Sequence, residues 1–346
     1  MTVVCRPHPG IYISIYNTCN LYYRVLIKVS IEKIIKNSQH SILHVLINGY
    51  GLPSVEQTRN VIEKINSSSN YDLIVLDKSA GPWDQDLEYL AWARSLNLNK
   101  PFVIVTSNYN YWFNKHDQIV YYPQWFFILM SDLNIKKHNI VDARPYKIAC
   151  LSRNPWLHRS KNMLAMRRQS WFGECQYSFG SDNKLDFDTS ADMTREDVNF
   201  LHSINHTKLS LPDNNNFYVS NHSSAHELCC IDYVTESRVD NVFVSEKSWK
   251  PLLSGQLFLI LGPVGIIRYF KDLGVDVFDD LVDHAYDQET DLDKKIHLLM
   301  NSINGIIDHV DQIWADTVSR RQKNLDLVYS PDFHNMLAKD LISKVS

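Results

Sequence analysis

A glutamate followed directly by a lysine opens a predicted helix in the second half of the chain. Glu246 and Lys247 come immediately after Ser245, whose hydroxyl suits the N-cap position. The free N–H groups of a helix N-terminus carry partial positive charge, and Lys247 adds a full charge beside them. This arrangement favours a phosphate or diphosphate, with Glu246 able to accept hydrogen bonds from sugar hydroxyls. Alternatively, Glu246 only complements the helix dipole and Lys247 is a solvated surface side chain.

The residues that follow indicate where this pair lies in the fold. Trp249, Leu252 and Leu253 recur at helical spacing, and Gly255 stands where a helix C-cap favours positive φ. The apolar run at residues 257–261 lacks polar alternation, which is typical of a strand covered on both faces of a parallel sheet. The helix is therefore predicted to begin at the carboxyl ends of the strands, where α/β folds bind their ligands.

A second set of candidate catalytic side chains follows a strand in the N-terminal half. Asp84 and Asp86 come after a predicted strand at residues 71–77 and before a predicted helix. An enzyme that activates an acceptor hydroxyl needs a carboxylate or histidine base within hydrogen-bond reach, and this loop is rich in carboxylates. Either aspartate could instead cap the helix that follows. Glu56 and Asp77 are the next candidates for the base.

The order of strands and helices predicts an α/β protein of two domains. Near-continuous apolar strands alternate with helical segments through the N-terminal half, which is the pattern of an open parallel sheet. The polar, aperiodic segment at residues 133–146 marks the boundary, so we assign residues 1–140 and 141–346 to separate domains. A chain of 346 residues is long enough for two cores.

Composition excludes several classes of protein. The net charge of −4 gives no overall basic field for nucleic acid or anionic membranes. Six cysteines without a Cys-x-x-Cys motif predict buried thiols in a reducing cytoplasm. We find no P-loop, no serine nucleophile elbow and no His-Glu-x-x-His motif, and the histidines match no metal-ligand spacing. No apolar run has the length of a membrane span, so we expect a protein without a membrane anchor.

The region around the Glu-Lys pair resembles the donor-binding segment of α-1,3-fucosyltransferases, and of uncharacterised glycosyltransferases of phages and large viruses. That family has an acidic-polar pair, an aromatic residue, a Thr-Glu-Lys sequence that opens a helix, and a strand ending in Gly-Pro. The positions of this chain that match are Glu236, Ser237, Phe243, Ser245, Glu246 and Lys247. Two of the differences matter, since Ser237 replaces an asparagine and Phe243 a tyrosine. Both changes affect positions that help to hold the nucleotide in the family.

A second match follows the predicted domain boundary. There the family has a strand, a Ser-Asn pair and an arginine that meets the donor pyrophosphate. Arg159 is the best match to that arginine, Arg153 is its rival, and Asn154 lies in the same loop. A guanidinium can hold phosphate oxygens through two parallel hydrogen bonds.

The resemblance implies a glycosyltransferase of the GT-B type, with two Rossmann-like domains facing across a cleft. The N-terminal domain would bind the acceptor, the C-terminal domain the nucleotide-sugar, and the last helix would cross back to the first domain. The implied reaction inverts the anomeric carbon, with Asp84 or Asp86 as base. The donor site would need no metal or other cofactor, because Lys247, the Arg159 loop and a helix N-terminus would stabilise the leaving diphosphate.

The same resemblance leaves the source and the acceptor open. Animal fucosyltransferases carry a membrane anchor, so its expected absence favours a bacterial or viral enzyme, in the host cytoplasm if viral. One alternative is a phage-type DNA glycosyltransferase acting on a hydroxymethylated base, against which the acidic pI of about 6.4 counts. The other is a non-catalytic nucleotide- or sugar-binding protein of the same fold.

Overall fold

The computed structural model describes residues 12–14, 31, 34–35, 38, 41–47, 52–68, 70–78, 86–130, 140, 142–152, 154–180, 190–204 and 224–345. The chain divides into two compact units, each with its own parallel sheet. The first unit comprises Met1–Leu133, Asn241–Val244 and Pro331–Ser346, and the second comprises Asn134–Asp240 and Ser245–Ser330. The α/β class predicted from the order of strands and helices is confirmed.

The strands and helices are numbered here in chain order. The strands are β1 Tyr12–Ser14, β2 Ile42–Leu46, β3 Leu73–Asp77, β4 Phe102–Thr106, β5 Ile119–Tyr121, β6 Tyr146–Ser152, β7 Cys175–Phe179, β8 Cys229–Thr235 and β9 Leu257–Leu261. The α-helices are α1 Val55–Ser67, α2 Asp86–Ser95, α3 Asn110–Phe113, α4 Gln124–Met130, α5 Leu157–Arg167, α6 Arg195–Ile204, α7 Ser224–Leu228, α8 Glu246–Ser254, α9 Ile266–Asp272, α10 Leu292–Ile306, α11 Val310–Asp316, α12 Val318–Val328 and α13 Pro331–Val345. Short 3₁₀ segments occupy Ser170–Glu174, Ala285–Gln288 and Ile307–His309.

The sheet of the first unit is covered on both faces. Its strands are parallel and lie in the order β1-β2-β3-β4-β5. On one face Val45 and its neighbours pack in the same cluster as Val61 of α1. On the other, Val75 lies in a cluster with Leu341 of α13, so the C-terminal helix belongs to the core of the first unit. Burial on two faces explains why these strands lack polar alternation.

In the sheet of the second unit, later strands are added on both sides of β6. Its four parallel strands lie in the order β7-β6-β8-β9, so the chain runs outward from β6 to β7 and then returns to the other side of β6 to form β8. The loops at the carboxyl ends of β6 and β8 therefore diverge. In α/β sheets such a switch point is where ligands bind.

Helix α8 has the caps that the sequence predicts. The Ser245 side chain accepts a hydrogen bond from the Lys247 amide at 3.3 Å, which satisfies one free N–H group of the first turn. At the other end Gly255 adopts a left-handed conformation with φ of 65°. The strand predicted at residues 257–261 follows as β9, and all of its residues are buried.

Replacing Gly255 with alanine should destabilise the second unit by about 2–4 kcal/mol. A Cβ atom there would lie 2.6 Å from Cγ2 of Ile140 and 2.9 Å from Cδ1 of Leu325, on a backbone that side chains avoid. Gly305 of α10 is the control, because a Cβ atom there meets nothing within 4 Å, and alanine should stabilise a helix interior by up to about 1 kcal/mol. Equal urea midpoints for Gly255→Ala and Gly305→Ala would contradict this expectation.

Two further expectations concern the thiols and the membrane. Cys150, Cys175, Cys229 and Cys230, the cysteines within the described ranges, are all buried and free, as predicted. None of the described helices combines the length and the apolar character that a membrane crossing requires.

Candidate functional site

Polar side chains meet at the switch point of the second sheet. β6 ends at Ser152 and β8 at Thr235, and the hydroxyl oxygens of these buried residues lie 2.8 Å apart. The first turns of α5 and α8 supply further polar groups that bond to this edge. We call this group the switch-point site; its members are Ser152, Asn154, Arg159, Thr235, Glu236, Ser237, Ser245, Glu246 and Lys247.

Glu236 anchors the start of α8. Its carboxylate is fully buried and accepts four hydrogen bonds: from the Ser237 amide at 2.9 Å, the Ser245 amide at 3.0 Å, the Ser245 hydroxyl at 2.6 Å and the Ser248 hydroxyl at 2.6 Å. Both carboxylate oxygens are therefore occupied. The geometry supports a positioning role for Glu236, because it holds the first turn of α8 against the end of β8.

Replacing Glu236 with glutamine should lower the free energy of unfolding by about 2–4 kcal/mol. The amide –NH₂ would face N–H and O–H donors, and hydrogen bonds to a charged group contribute about 1.5–3 kcal/mol each. Urea denaturation measures the change. Glu196→Gln is the control, because that side chain is 79% exposed and should change stability little. A Glu236→Gln variant as stable as the control would exclude the anchoring role.

Arg159 is buried without a directly bonded carboxylate. It is 1% exposed, and its Nη1 donates to the Asn154 carbonyl at 3.0 Å while Nη2 donates to the Thr235 and Glu236 carbonyls at 3.0 and 2.9 Å. Among the described residues, Nε has no hydrogen-bond partner and no carboxylate lies within ion-pair distance. Burial lowers the pKa of Arg159, and the nearby carboxylates of Glu236 and Glu246 oppose that shift.

Glu246 and Lys247 form an ion pair at the start of α8. Lys247 Nζ lies 2.6 Å from Glu246 Oε1 and donates to Ser237 Oγ at 3.2 Å. Glu246 is 5% exposed, and its burial opposes ionisation, but the charges of Lys247 and Lys250 outweigh that effect and lower the pKa. The carboxylate is therefore ionised at neutral pH. Lys247 keeps 27% of its side chain exposed, so its ammonium is accessible to an anion.

Two residues beside the switch-point site were not predicted from the sequence as site residues. His158 is buried and its Nε2 donates to the Glu236 carbonyl at 3.0 Å. Burial and the charge of Arg159 lower its pKa to about 4, so the ring is neutral and adds no charge. Ser248 bonds to Glu236 as described above. The spacing of Ser245 and Ser248, at the N-cap and third helical positions, is a signal that could have identified the second serine.

Two of the predicted donor-site residues are not assigned to this group. Arg153 lies outside the described residues. Phe243 lies in the segment Asn241–Val244, which packs as part of the first unit. It is 4% exposed and forms an isolated antiparallel bridge with Asn108, beside a hydrogen bond from the Tyr109 amide to the Val242 carbonyl at 3.0 Å. A contact of the Phe243 ring with a nucleotide stays a prediction.

The structure describes some of the candidate bases of the first unit and not others. Asp84 lies outside the described residues. Asp86 begins α2 and is fully buried; its carboxylate pairs with Lys78 Nζ at 2.7 Å and accepts from Asn108 Nδ2 at 2.8 Å. Glu56 is exposed in the first turn of α1. The assignment of Asp84 or Asp86 as base stays a prediction.

A buried histidine–aspartate pair in the first unit was also missed. His44 Nε2 and Asp77 Oδ2 lie 3.0 Å apart, and both residues are buried. The parallel register aligns His44 with Val75, two residues before Asp77, so both side chains lie on the same face of the sheet. Only the strand pairing brings them together, and the linear sequence does not specify it.

The described parts of the chain contain no group of three or more histidine, cysteine, aspartate or glutamate side chains that could hold a metal ion. A separate groove of about 520 Å³ lies in the second unit and is lined by residues of α5 and α10. Within it Lys161 pairs with Asp192 at 3.1 Å and with Asp293 at 2.8 Å, so its ammonium is already paired with carboxylates.

Comparison with known proteins gives similarities to solved structures; no protein-family model and no curated protein matches the chain. A crystal structure of an α1,3-fucosyltransferase is 12% identical and aligns with 93% of this chain and 82% of its own, with a TM-score of 0.36. The accessory secretory protein 1, 2 and 3 structure of Streptococcus pneumoniae is 10% identical over 93% and 58% of the two chains, with a TM-score of 0.39. An α1,3-fucosyltransferase with GDP-fucose is 8% identical over 84% and 90%, with a TM-score of 0.34.

Proposed function

We propose that this protein is a glycosyltransferase that moves a sugar from a nucleotide-sugar to an acceptor hydroxyl. The observation that carries the proposal is the Arg159 guanidinium, which is 1% exposed at the switch point and bonds to carbonyl oxygens. A buried charge is costly unless an opposite charge compensates it. Glu236 and Glu246 supply part of that charge, and a diphosphate bound at this edge would add to it.

The neighbouring groups suit the rest of a nucleoside diphosphate. Lys247 and the N-terminus of α8 offer a second cation and free N–H donors beside Arg159. The ionised carboxylate of Glu246 can accept hydrogen bonds from ribose hydroxyls, which a phosphate site alone would not require. These residue types at a switch point favour a donor nucleotide over a simple inorganic anion.

The same groups can assist the departure of the nucleotide. In the proposed reaction the acceptor oxygen attacks the anomeric carbon, the bond from that carbon to the diphosphate oxygen breaks, and the hydroxyl proton passes to a base. Negative charge then develops on the diphosphate, where Arg159, Lys247 and the α8 N-terminus would stabilise it. We assign the base to Asp84 or Asp86, place the acceptor on the first unit, and propose inversion at the anomeric carbon without a metal ion.

A melting-temperature screen against GDP, UDP, CMP and their sugars tests the proposal. A ligand at 100 times its dissociation constant stabilises the folded state by about 2.7 kcal/mol, which raises the melting temperature by several degrees. We expect nucleoside diphosphates to stabilise the protein more than CMP, and GDP is the first candidate because of the sequence resemblance. Release of the nucleoside diphosphate from the bound nucleotide-sugar then reports turnover. A protein that no nucleotide stabilises would contradict the proposal, and tight binding without release would indicate a binding protein.

A further inference from the structure

An aromatic ring and a guanidinium lie side by side at the switch-point site. Trp156 directly precedes α5 and is partly exposed, and Arg238 follows Ser237 in the loop after β8. The guanidinium carbon of Arg238 lies 5.7 Å from the centroid of the Trp156 ring. Arg238 also makes a two-bond ion pair with Asp240, with Nε and Nη2 donating at 2.7 and 2.5 Å.

The ion pair between Arg238 and Asp240 contributes little to the stability of the fold. The side chain of Arg238 is 39% exposed and that of Asp240 is 60% exposed, and ion pairs at such exposure stabilise proteins weakly. Trp156 beside them is only partly buried, although an indole gains most when it is fully buried. Asp240 bonds to the Arg238 guanidinium beside the ring.

Trp156 and Arg238 are directly connected to the proposed diphosphate site. The Trp156 carbonyl accepts from the Arg159 amide at 2.9 Å, so the ring lies on the turn that places the buried guanidinium. Arg238 follows Ser237, whose hydroxyl accepts from Lys247 Nζ at 3.2 Å. A nucleotide whose phosphates bind Arg159 and Lys247 would therefore have its base within reach of Trp156 and Arg238.

We propose that Trp156 and Arg238 form a stacking platform for the base of the nucleoside diphosphate. This inference rests on the proposed function and deepens it by naming the groups that bind the base. Aromatic rings and arginine guanidinium planes both stack on nucleobases, because every base has a flat π-face. The larger faces of purines gain more from such contacts than pyrimidines do, which favours GDP and ADP over UDP and CMP.

The observed separation suits a base that enters between the two groups after a small movement. An inserted flat ring needs about 7 Å between them, which is two contacts of about 3.5 Å each, against the observed 5.7 Å. Rotation of the partly exposed Arg238 side chain can supply a shift of that size. The bound base would then be held on both faces.

Calorimetric titrations of the full chain with GDP and with inorganic pyrophosphate test the platform. Trp156→Ala should raise the dissociation constant of GDP by roughly 5- to 150-fold, the equivalent of the loss of one stacked base. Arg238→Ala should raise it less, because the tryptophan face remains. Pyrophosphate, which has no base, should bind both variants as it binds the wild-type protein. Trp156→Phe should recover most of the GDP affinity, because it restores an aromatic face.

Arg167→Ala is the matched control. That arginine also lies over an aromatic ring, 4.5 Å from the centroid of Phe200, and pairs with Glu196, but it is at the end of α5 away from the switch point. The substitution should leave the dissociation constants of GDP and pyrophosphate unchanged. If Trp156→Ala weakens the binding of GDP and of pyrophosphate equally, or weakens the binding of neither, the proposed platform is wrong. Nucleotide binding by the wild-type protein would still support the proposed function in that case. If the wild type binds no nucleotide, the proposed function and the platform are both wrong.

Discussion

Asp84→Asn should lower the rate of sugar transfer by about 10²–10⁴-fold and leave nucleotide affinity unchanged. General-base catalysis contributes a factor of that size, and a base acts on the acceptor hydroxyl and not on the nucleotide. Both candidates stay open, and we choose Asp84 for this substitution because the Asp86 carboxylate is fully buried and already bonded to Lys78 and Asn108. The transfer rate and the GDP dissociation constant, measured on the same preparation, separate the two effects.

Asp86→Asn is the paired substitution, and we expect it to act on stability. Removing one partner of a buried ion pair costs about 3–5 kcal/mol, because the Lys78 ammonium would stay buried without its counter-charge. The variant should therefore melt at a lower temperature and retain its transfer rate per folded molecule. If Asp86→Asn instead keeps its stability and loses the rate, the roles are reversed. If neither variant loses more than about tenfold in rate, the base lies elsewhere, with Glu56 and the His44–Asp77 pair next.

Lys247→Ala should weaken the binding of nucleoside diphosphates by about 1.5–3 kcal/mol, or roughly 10- to 150-fold. The ammonium is partly exposed and bonds to Ser237 and Glu246, so its loss removes a hydrogen bond to charged phosphate without disturbing the core. Guanosine, which lacks phosphate, should bind as before. Lys294→Ala is the control, because that lysine is exposed on α10. This substitution should not change the affinity for nucleoside diphosphates or for guanosine.

Glu246→Gln separates the ribose contact from the phosphate contact. It should weaken the binding of guanosine as well as that of GDP, because both ligands carry ribose hydroxyls. The binding of inorganic pyrophosphate should not change, because pyrophosphate has no ribose. An effect confined to ligands with phosphate would exclude Glu246 as the ribose acceptor. Unchanged GDP affinity in Lys247→Ala would likewise exclude Lys247 as a phosphate ligand.

The parts of the site that depend on local sequence could be predicted. Ser245 as N-cap, Gly255 in the left-handed conformation and the buried strand β9 follow from neighbouring residues and from residue-specific backbone preferences. The α/β class follows in the same way from the alternation of strands and helices. The order of the strands within each sheet does not, since it depends on contacts between residues that are distant in the chain.

The parts that depend on distant contacts could not be predicted. Glu236 matches a nucleotide-binding position of the family, yet its burial under Ser245 and Ser248 becomes visible only once α8 is placed against β8. From sequence, Arg159 is recognised only as the best match to an arginine that meets the donor pyrophosphate. Its guanidinium in fact supports three carbonyl groups inside the second unit, so Arg159→Ala should reduce stability as well as nucleotide affinity.

Hydrogen exchange with and without saturating GDP tests most directly whether the switch-point site binds the donor nucleotide. Amide protection should increase in two segments, residues 152–160 at the start of α5 and residues 235–250 at the start of α8, and Lys247→Ala should reduce it at matched GDP concentration. The groove lined by Lys161, Asp293 and other residues of α5 and α10 should show no change. Protection confined to that groove, or absent from both segments while GDP is bound, would contradict a donor site at the switch point.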